Sequence, residues 1–134
     1  MRIRTLYVNE GQAFSVTERL EYQDGTLVQP GDIAYTSLCV FAGHDPEPLC
    51  EVDDLGDAGT IYATPQLDGL WTRDSTGYTF KHDVSVLDTE EYFTAGGRVY
   101  RLEYRFERIN PDDGFLLLPV RVSVRTFLTP NPGT

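Results

Sequence analysis

Two antiparallel β-sheets packed face to face are the fold class that the sequence predicts, and three observations carry the prediction. Apolar and polar residues alternate with a period of two along several stretches, most cleanly from Tyr78 to Leu87 and from Val99 to Arg125. Turn-forming clusters interrupt the chain at intervals of roughly eight to twelve residues, which sets about eight or nine short strands. Tyr and Phe are abundant, eight and seven residues, beside 12 Gly and 8 Pro, and long helix-periodic runs are missing.

Taken in chain order, Met1 to Val8 reads as a short strand, and Gln12 to Tyr22 alternates in part through Phe14, Val16 and Leu20. Gln23-Asp24-Gly25-Thr26 is a tight-turn signal, because Asp-Gly supplies positive φ angles. Gln29-Pro30-Gly31-Asp32 is a second turn, and Ile33 to Phe41 follows as a strong strand. Ala42 to Pro48 carries two prolines, which exclude a central strand there. Cys50 to Val52 and Thr60 to Ala63 are short extended pieces around an acidic loop, Asp53 to Gly59. Leu67 to Thr72 holds the single Trp71, and Arg73 to Gly77 turns the chain again. From Tyr78 the residues Phe80, His82, Val84 and Val86 share one face, and Asp88 to Tyr92 is a helical turn.

The last third predicts a hairpin. Tyr100, Leu102, Tyr104 and Phe106 point to one side, then Asn110-Pro111-Asp112-Asp113-Gly114 turns, and Leu116, Leu118, Val120, Val122 and Val124 return on the same side. Pro119 has no N–H to give to a ladder, which places its strand at an edge or at a bulge. Ala95-Gly96-Gly97 punctuates the chain ahead of this hairpin, and a Tyr at its start, Tyr100, matches the tyrosine corner of immunoglobulin-like sandwiches. The predicted domain is therefore a single immunoglobulin-like sandwich over residues 1–134, with 129–134 a loose tail. Residues 1–11 form either its first strand or an arm that adds to the sheet edge of a neighbouring subunit.

Composition excludes several roles. The net charge is −10, and Lys81 is the one lysine among 11 basic residues. A surface this acidic is repelled by phosphate backbones, so nucleic acid is not an expected partner. The start of the chain is charged and lacks an apolar core, and the longest apolar run, Phe115 to Val120, is far too short to span a membrane. The expectation is a soluble product made in the cytoplasm, with no membrane partner. Cys39 and Cys50 are then expected as free buried thiols.

Residues with chemical capacity read more simply as structure. His44-Asp45 and His82-Asp83 are adjacent pairs; neighbours in a strand point to opposite faces, so His82 and Asp83 do not easily converge on one proton or metal. His82 lies on the apolar face and reads as a core histidine. Glu51 to Asp57 is acidic enough for calcium but lacks the DxDxDG spacing and a distal bidentate Glu. No GxSxG elbow and no Cys/His zinc spacing occurs. Trp71 reads as a core plug between the sheets, and as a sugar-stacking platform only in the alternative of a ligand- or carbohydrate-binding sandwich. The expectation is a non-enzyme with no cofactor and no metal. The remaining candidate is the wet face of the hairpin, where Arg101, Glu103, Arg105 and Glu107 run beside Arg121 and Arg125. It predicts cross-strand ion pairs, or a charged contact with a partner subunit through Arg101, Glu103, Arg105, Arg121 and Arg125.

Three stretches together carry a resemblance. They are Gly31-Asp32-Ile33-Ala34-Tyr35-Thr36-Ser37-Leu38-Cys39-Val40-Phe41, Leu70-Trp71-Thr72-Arg73-Asp74-Ser75-Thr76-Gly77-Tyr78-Thr79-Phe80-Lys81-His82, and Gly97-Arg98-Val99-Tyr100-Arg101-Leu102-Glu103-Tyr104. Over roughly residues 15 to 126 the chain resembles small immunoglobulin-like sandwich proteins encoded among the structural genes of tailed bacteriophages. The resemblance implies a non-enzymatic structural protein of the virion, a capsid decoration or cement protein bound to the major capsid protein, and it allows a homo-oligomer. It transfers no catalytic residue.

Overall fold

A computed structural model describes residues 4–93 and 99–125. Among the described residues eight strands form two sheets. The larger holds β1 (Arg4–Asn9), β8 (Phe115–Arg125), β7 (Val99–Arg108), β3 (Ile33–Ala42) and β4 (Pro48–Val52) in that spatial order. The smaller is β2 (Phe14–Glu18), β6 (Tyr78–Val84) and β5 (Gly59–Gln66). Every pairing is antiparallel except β1 with β8, which is parallel. The order β8-β7-β3-β4 facing β2-β6-β5 is that of an immunoglobulin sandwich in which an extra strand widens the sheet carrying the last two strands. The parallel β1 departs from the all-antiparallel expectation. A first strand that joins the opposite sheet from β2 must run alongside the last strand. Residues 4–9 pair with β8 of their own chain; residues 1–3 and the tail at 129–134 lie outside the described residues.

The core lies where the two inner faces meet. Val16, Phe80, His82 and Val84 come from the smaller sheet; Leu38, Val40, Leu102, Tyr104, Phe106, Val120 and Val122 come from the larger. Phe80 meets Tyr104 and Phe106 edge-on, with ring centroids 5.2 and 5.0 Å away, the arrangement in which the positive ring edge faces the negative ring face. The Arg4 guanidinium donates to the carbonyl of Thr17 and so ties β1 to β2 across the sandwich.

The β7–β8 hairpin has the expected register. Leu102 opposes Val120, Tyr104 opposes Leu118, and the even-numbered apolar residues from Tyr100 to Phe106 and from Leu118 to Val124 are buried. Its turn is a 3-10 segment, Pro111–Asp113, closed by Gly114 at φ 78. Pro119 corrects its expectation: β8 is interior and its register with β7 is unbroken. The first described β1 pair is Arg4 with Val120, one residue further on, so at Pro119 a missing N–H leaves no described ladder bond unmade.

Two local readings shift. The strand from Tyr78 ends at Val84, because Ser85 caps a helix, α1 (Val86–Tyr92), that begins two residues before the expected helical turn. Ser85 Oγ accepts from the Asp88 amide at 3.1 Å and Asp88 returns the bond, a reciprocal cap that outweighs the strand alternation of two more residues. Val86 and Leu87 are consequently exposed. Gly77 enters β6 at φ 111, and a β-carbon there would lie 2.3 Å from the Gln66 carbonyl oxygen, so only glycine fits. The punctuation at 95–97 lies outside the described residues. Tyr100 is fully buried at the start of β7.

Candidate functional site

The cysteines do not supply a reactive centre. Cys39 on β3 opposes Glu51, whereas Cys50 on β4 opposes Val40, so the two thiols point to opposite faces of one sheet and register forbids a bond between them. Both are free and half-buried, and burial raises both thiol pKa values, which keeps them protonated and weakly nucleophilic. Neither lies on β2 or β7, so packing rather than an inter-sheet disulfide joins the sheets.

His82 is a core residue, as its place on the apolar face predicts. Its Nδ1 lies 2.7 Å from the Tyr104 hydroxyl, and its Nε2 is buried with no hydrogen-bond partner among the described residues. Burial pushes the imidazole pKa down to about 4. His44 sits on an exposed turn. In the acidic loop, Asp54 accepts from the Gly56 amide at 2.9 Å and Leu55 inserts into the core. Among the described residues no three His, Cys, Asp or Glu side chains converge on a point that would hold a metal.

Trp71 corrects its expectation. It is buried, yet it packs against Tyr78 in a satellite cluster rather than between the sheets. Its Nε1 donates to Asp74 at 2.8 Å, and the Arg73 guanidinium covers the ring at 4.1 Å. Asp74 also accepts from the Gly77 amide and from Arg19, and these bonds drive its pKa far below the usual carboxylate range. A ring capped by a guanidinium offers no stacking platform to a sugar.

The outward face of the larger sheet is the remaining site. The residues opposite the buried ones form three aligned rows: Tyr35, Ser37, Cys39 and Phe41 on β3; Arg101, Glu103, Arg105 and Glu107 on β7; and Phe115, Leu117, Pro119 and Arg121 on β8. Tyr7 on β1 and Arg125 at the end of β8 extend the face. All five predicted contact residues lie here, but the ion pairing differs from expectation. The pairs run along β7: Arg101 Nε to Glu103 at 2.6 Å and Arg105 Nε to Glu107 at 2.6 Å. Across the strands, Arg101 faces Arg121, Glu103 faces Pro119 and Arg105 faces Leu117. The five-residue turn fixes that register, so like charges meet where opposite ones were expected.

The arginines are held by rings as well as carboxylates. Arg101 lies 4.2 Å from the Phe41 ring centre, Arg105 3.7 Å from that of Phe115, and Arg125 5.3 Å from that of Tyr7. Such stacking fixes a long side chain before any partner arrives. Tyr7, Tyr35, Phe115 and Leu117 remain between 44% and 66% exposed. An open groove of about 510 Å³ crosses the β3–β4 side of the face, lined by Tyr35, Ser37, Cys39, Glu51, Arg105 and Glu107. Sequence reasoning missed Tyr35, Phe41, Phe115 and Leu117. They have the same strand phase as the arginines, and four large apolar side chains on a wet face were the available signal.

No protein-family model matches the chain, and no curated protein matches it. Solved structures that align with most of its length include two of sodium channel beta subunits. One comes from work on cell-adhesive interactions of voltage-gated sodium channel beta subunits, at 12% identity over 92% of this chain and 92% of that one, with a TM-score of 0.38. The other, of extracellular domains of the sodium channel beta4 subunit, shares 14% identity over 94% of this chain and 93% of that one, with a TM-score of 0.35. At these scores neither likeness carries an argument about what this chain does. No helix among the described residues is long and apolar enough to cross a membrane.

Proposed function

We propose that the chain is a non-enzymatic structural module that docks on other protein subunits through the outward face of its larger sheet, and that the assembly is a virus particle. In that setting it serves as a decoration or cement protein of a tailed phage, bound to the major capsid protein. The observation that carries the docking reading is the composition of the face. Arg, Tyr and Phe are the residues that interfaces favour, and here they are gathered, ring-stacked and left exposed on one side of a rigid sheet. Four of the ten arginines of an acidic chain, Arg101, Arg105, Arg121 and Arg125, sit there. The virion setting is supported by the resemblance of the three sequence stretches above.

Co-sedimentation of the purified chain with particles that lack it tests the proposal. The chain should pellet with the particles, and Leu117→Asp, which puts a charge amid exposed apolar side chains without touching the core, should abolish pelleting while leaving the melting temperature within a few degrees. Failure of the unaltered chain to pellet contradicts the virion reading. Pelleting that survives Leu117→Asp contradicts the assignment of the face.

A further inference from the structure

The outward face is complementary to itself, and we infer that the subunit seated on it is a second copy of this chain, related by a two-fold axis that runs the paired sheets antiparallel. The inference rests on the docking reading above and names the occupant of that face; the particle then binds the pair and not the single chain, so a change at this face that splits the pair also abolishes pelleting.

The register supplies the argument. Tyr104 on β7 is level with Leu38 on β3 and Leu118 on β8. A two-fold axis lying in the interface at that level, perpendicular to the strands, lays each strand over its own copy with direction reversed. On β7, Arg101 then meets Glu107 of the second copy and Glu103 meets Arg105. On β3, Phe41 meets Tyr35 and Cys39 meets Ser37. On β8, Arg121 meets the Phe115 ring and Pro119 meets Leu117. The rows on β3, β7 and β8 match: opposite charges in the centre, aromatic on aromatic and small on small on one flank, cation on ring and apolar on apolar on the other. On β4, Glu51 is level with Cys39 and has the acidic Asp53 as its counterpart across the axis, so the complementarity is confined to those three strands. Each match occurs twice by symmetry.

The competing two-fold, with its axis along the strands, lays β7 over β7 in the same direction. Arg101 would then meet Arg101, Glu103 Glu103 and Arg105 Arg105, a row of like charges at the centre of the contact. The alternation of sign along β7 thus selects the antiparallel pairing. Sheets packed face to face cross at about 30° because each is twisted, so the matches nearest the axis, Glu103 with Arg105 and Leu117 with Pro119, stay closest. The rows run about 20 Å along the strands, and five strands span about 20 Å across. That footprint is about 400 Å² in plane, half the ~800 Å² per partner of a standard interface, which sets the pair among the weaker specific contacts. The net charge of −10 on each chain opposes association at long range, and salt screens that repulsion. The four central charges, Glu103 and Arg105 of each copy, are shielded by the flanks and screened less.

Analytical ultracentrifugation of the whole chain and of three variants tests this. The unaltered chain should be a dimer. Arg105→Glu sets one carboxylate against another at both symmetry-related contacts with Glu103. Glu103→Arg sets one guanidinium against another at both contacts with Arg105. Each change should raise the dissociation constant by about tenfold or more. The double variant, Glu103→Arg with Arg105→Glu, should dimerise again. It restores opposite charges between copies while placing like charges side by side within β7, so recovery cannot come from intramolecular repair. A monomeric unaltered chain, single variants that dimerise as well as the parent, or a double variant that stays monomeric would each overturn the inference. A monomer that still pellets with particles, and loses pelleting with Leu117→Asp, removes the second copy and leaves the docking reading standing. A monomer that does not pellet removes both.

Discussion

At the scale of single residues, His82 concentrates the most consequence. Its imidazole is buried against Tyr92 and Tyr104, with one nitrogen bonded to a tyrosine hydroxyl and the other without a partner among the described residues. The neutral form is therefore the one the fold accepts. In the unfolded chain the ring takes a proton near its ordinary value of 6.5, whereas in the folded chain it resists until about pH 4. The unfolded state binds more protons between those limits, so stability is full above pH 6.5, falls as pH drops towards 4 and levels off below. The shift corresponds to about 3 kcal/mol. Urea midpoints measured from pH 7 to 4 should show this slope in the unaltered chain and lose most of it in His82→Phe; equal slopes in both proteins would contradict the account. The carboxylates held low by hydrogen bonds, Asp24, Asp32, Asp68 and Asp74, lose their contributions only as pH falls below the ordinary carboxylate value of 3.8, so the two windows separate.

At the scale of elements, what was legible in the sequence was what local alternation encodes. One buried and one wet face give the β7–β8 hairpin a period of two that can be read directly, down to which of Leu102, Tyr104, Val122 and Val124 are inside. The strand β3 and the turns at Asp24-Gly25 and Asn110 to Gly114 were equally readable, because glycine, proline and aspartate impose their geometry within a few residues. The partition of strands between sheets was not, since β1 and β8 are over a hundred positions apart and no local pattern records their parallel pairing. Trp71 was misplaced for the opposite reason: its partners Asp74 and Arg73 are neighbours in sequence, and their hold on the ring keeps it out of the central core. The candidate face was half legible. Its charges stood out, but Tyr35, Phe41, Phe115 and Leu117 were given no role there, although Phe115 and Leu117 share the phase of Arg121 and Arg125 opposite the buried Leu118 and Val120. The role of β1 is directly testable. It buries Val8 and packs Leu6 against the core, and burying an aliphatic side chain contributes roughly 1.5–3 kcal/mol. Deleting residues 1–9 should therefore cost about 3 kcal/mol or more in chemical denaturation, and an unchanged midpoint would mean that the segment contributes nothing to its own sandwich.

At the scale of the whole molecule, two sheets divide the work. The smaller sheet, the satellite cluster of Trp71 and Tyr78, and the capped helix α1 close one side of the core. The larger sheet closes the other and presents a rigid, patterned outer surface. The same alternation that buries Tyr104 between Leu38 and Leu118 sets Glu103 and Arg105 outward on either side of it, so the register that makes the core also spaces the charges of the face. The central claim is that this face is buried in an assembly, and a reconstruction of the particle at side-chain resolution tests it most directly. The account predicts density for the chain on the particle in two-fold pairs, with Tyr35, Arg105, Phe115 and Leu117 enclosed between subunits. A particle complete without the chain, or one that carries it with this face open to solvent, would contradict it.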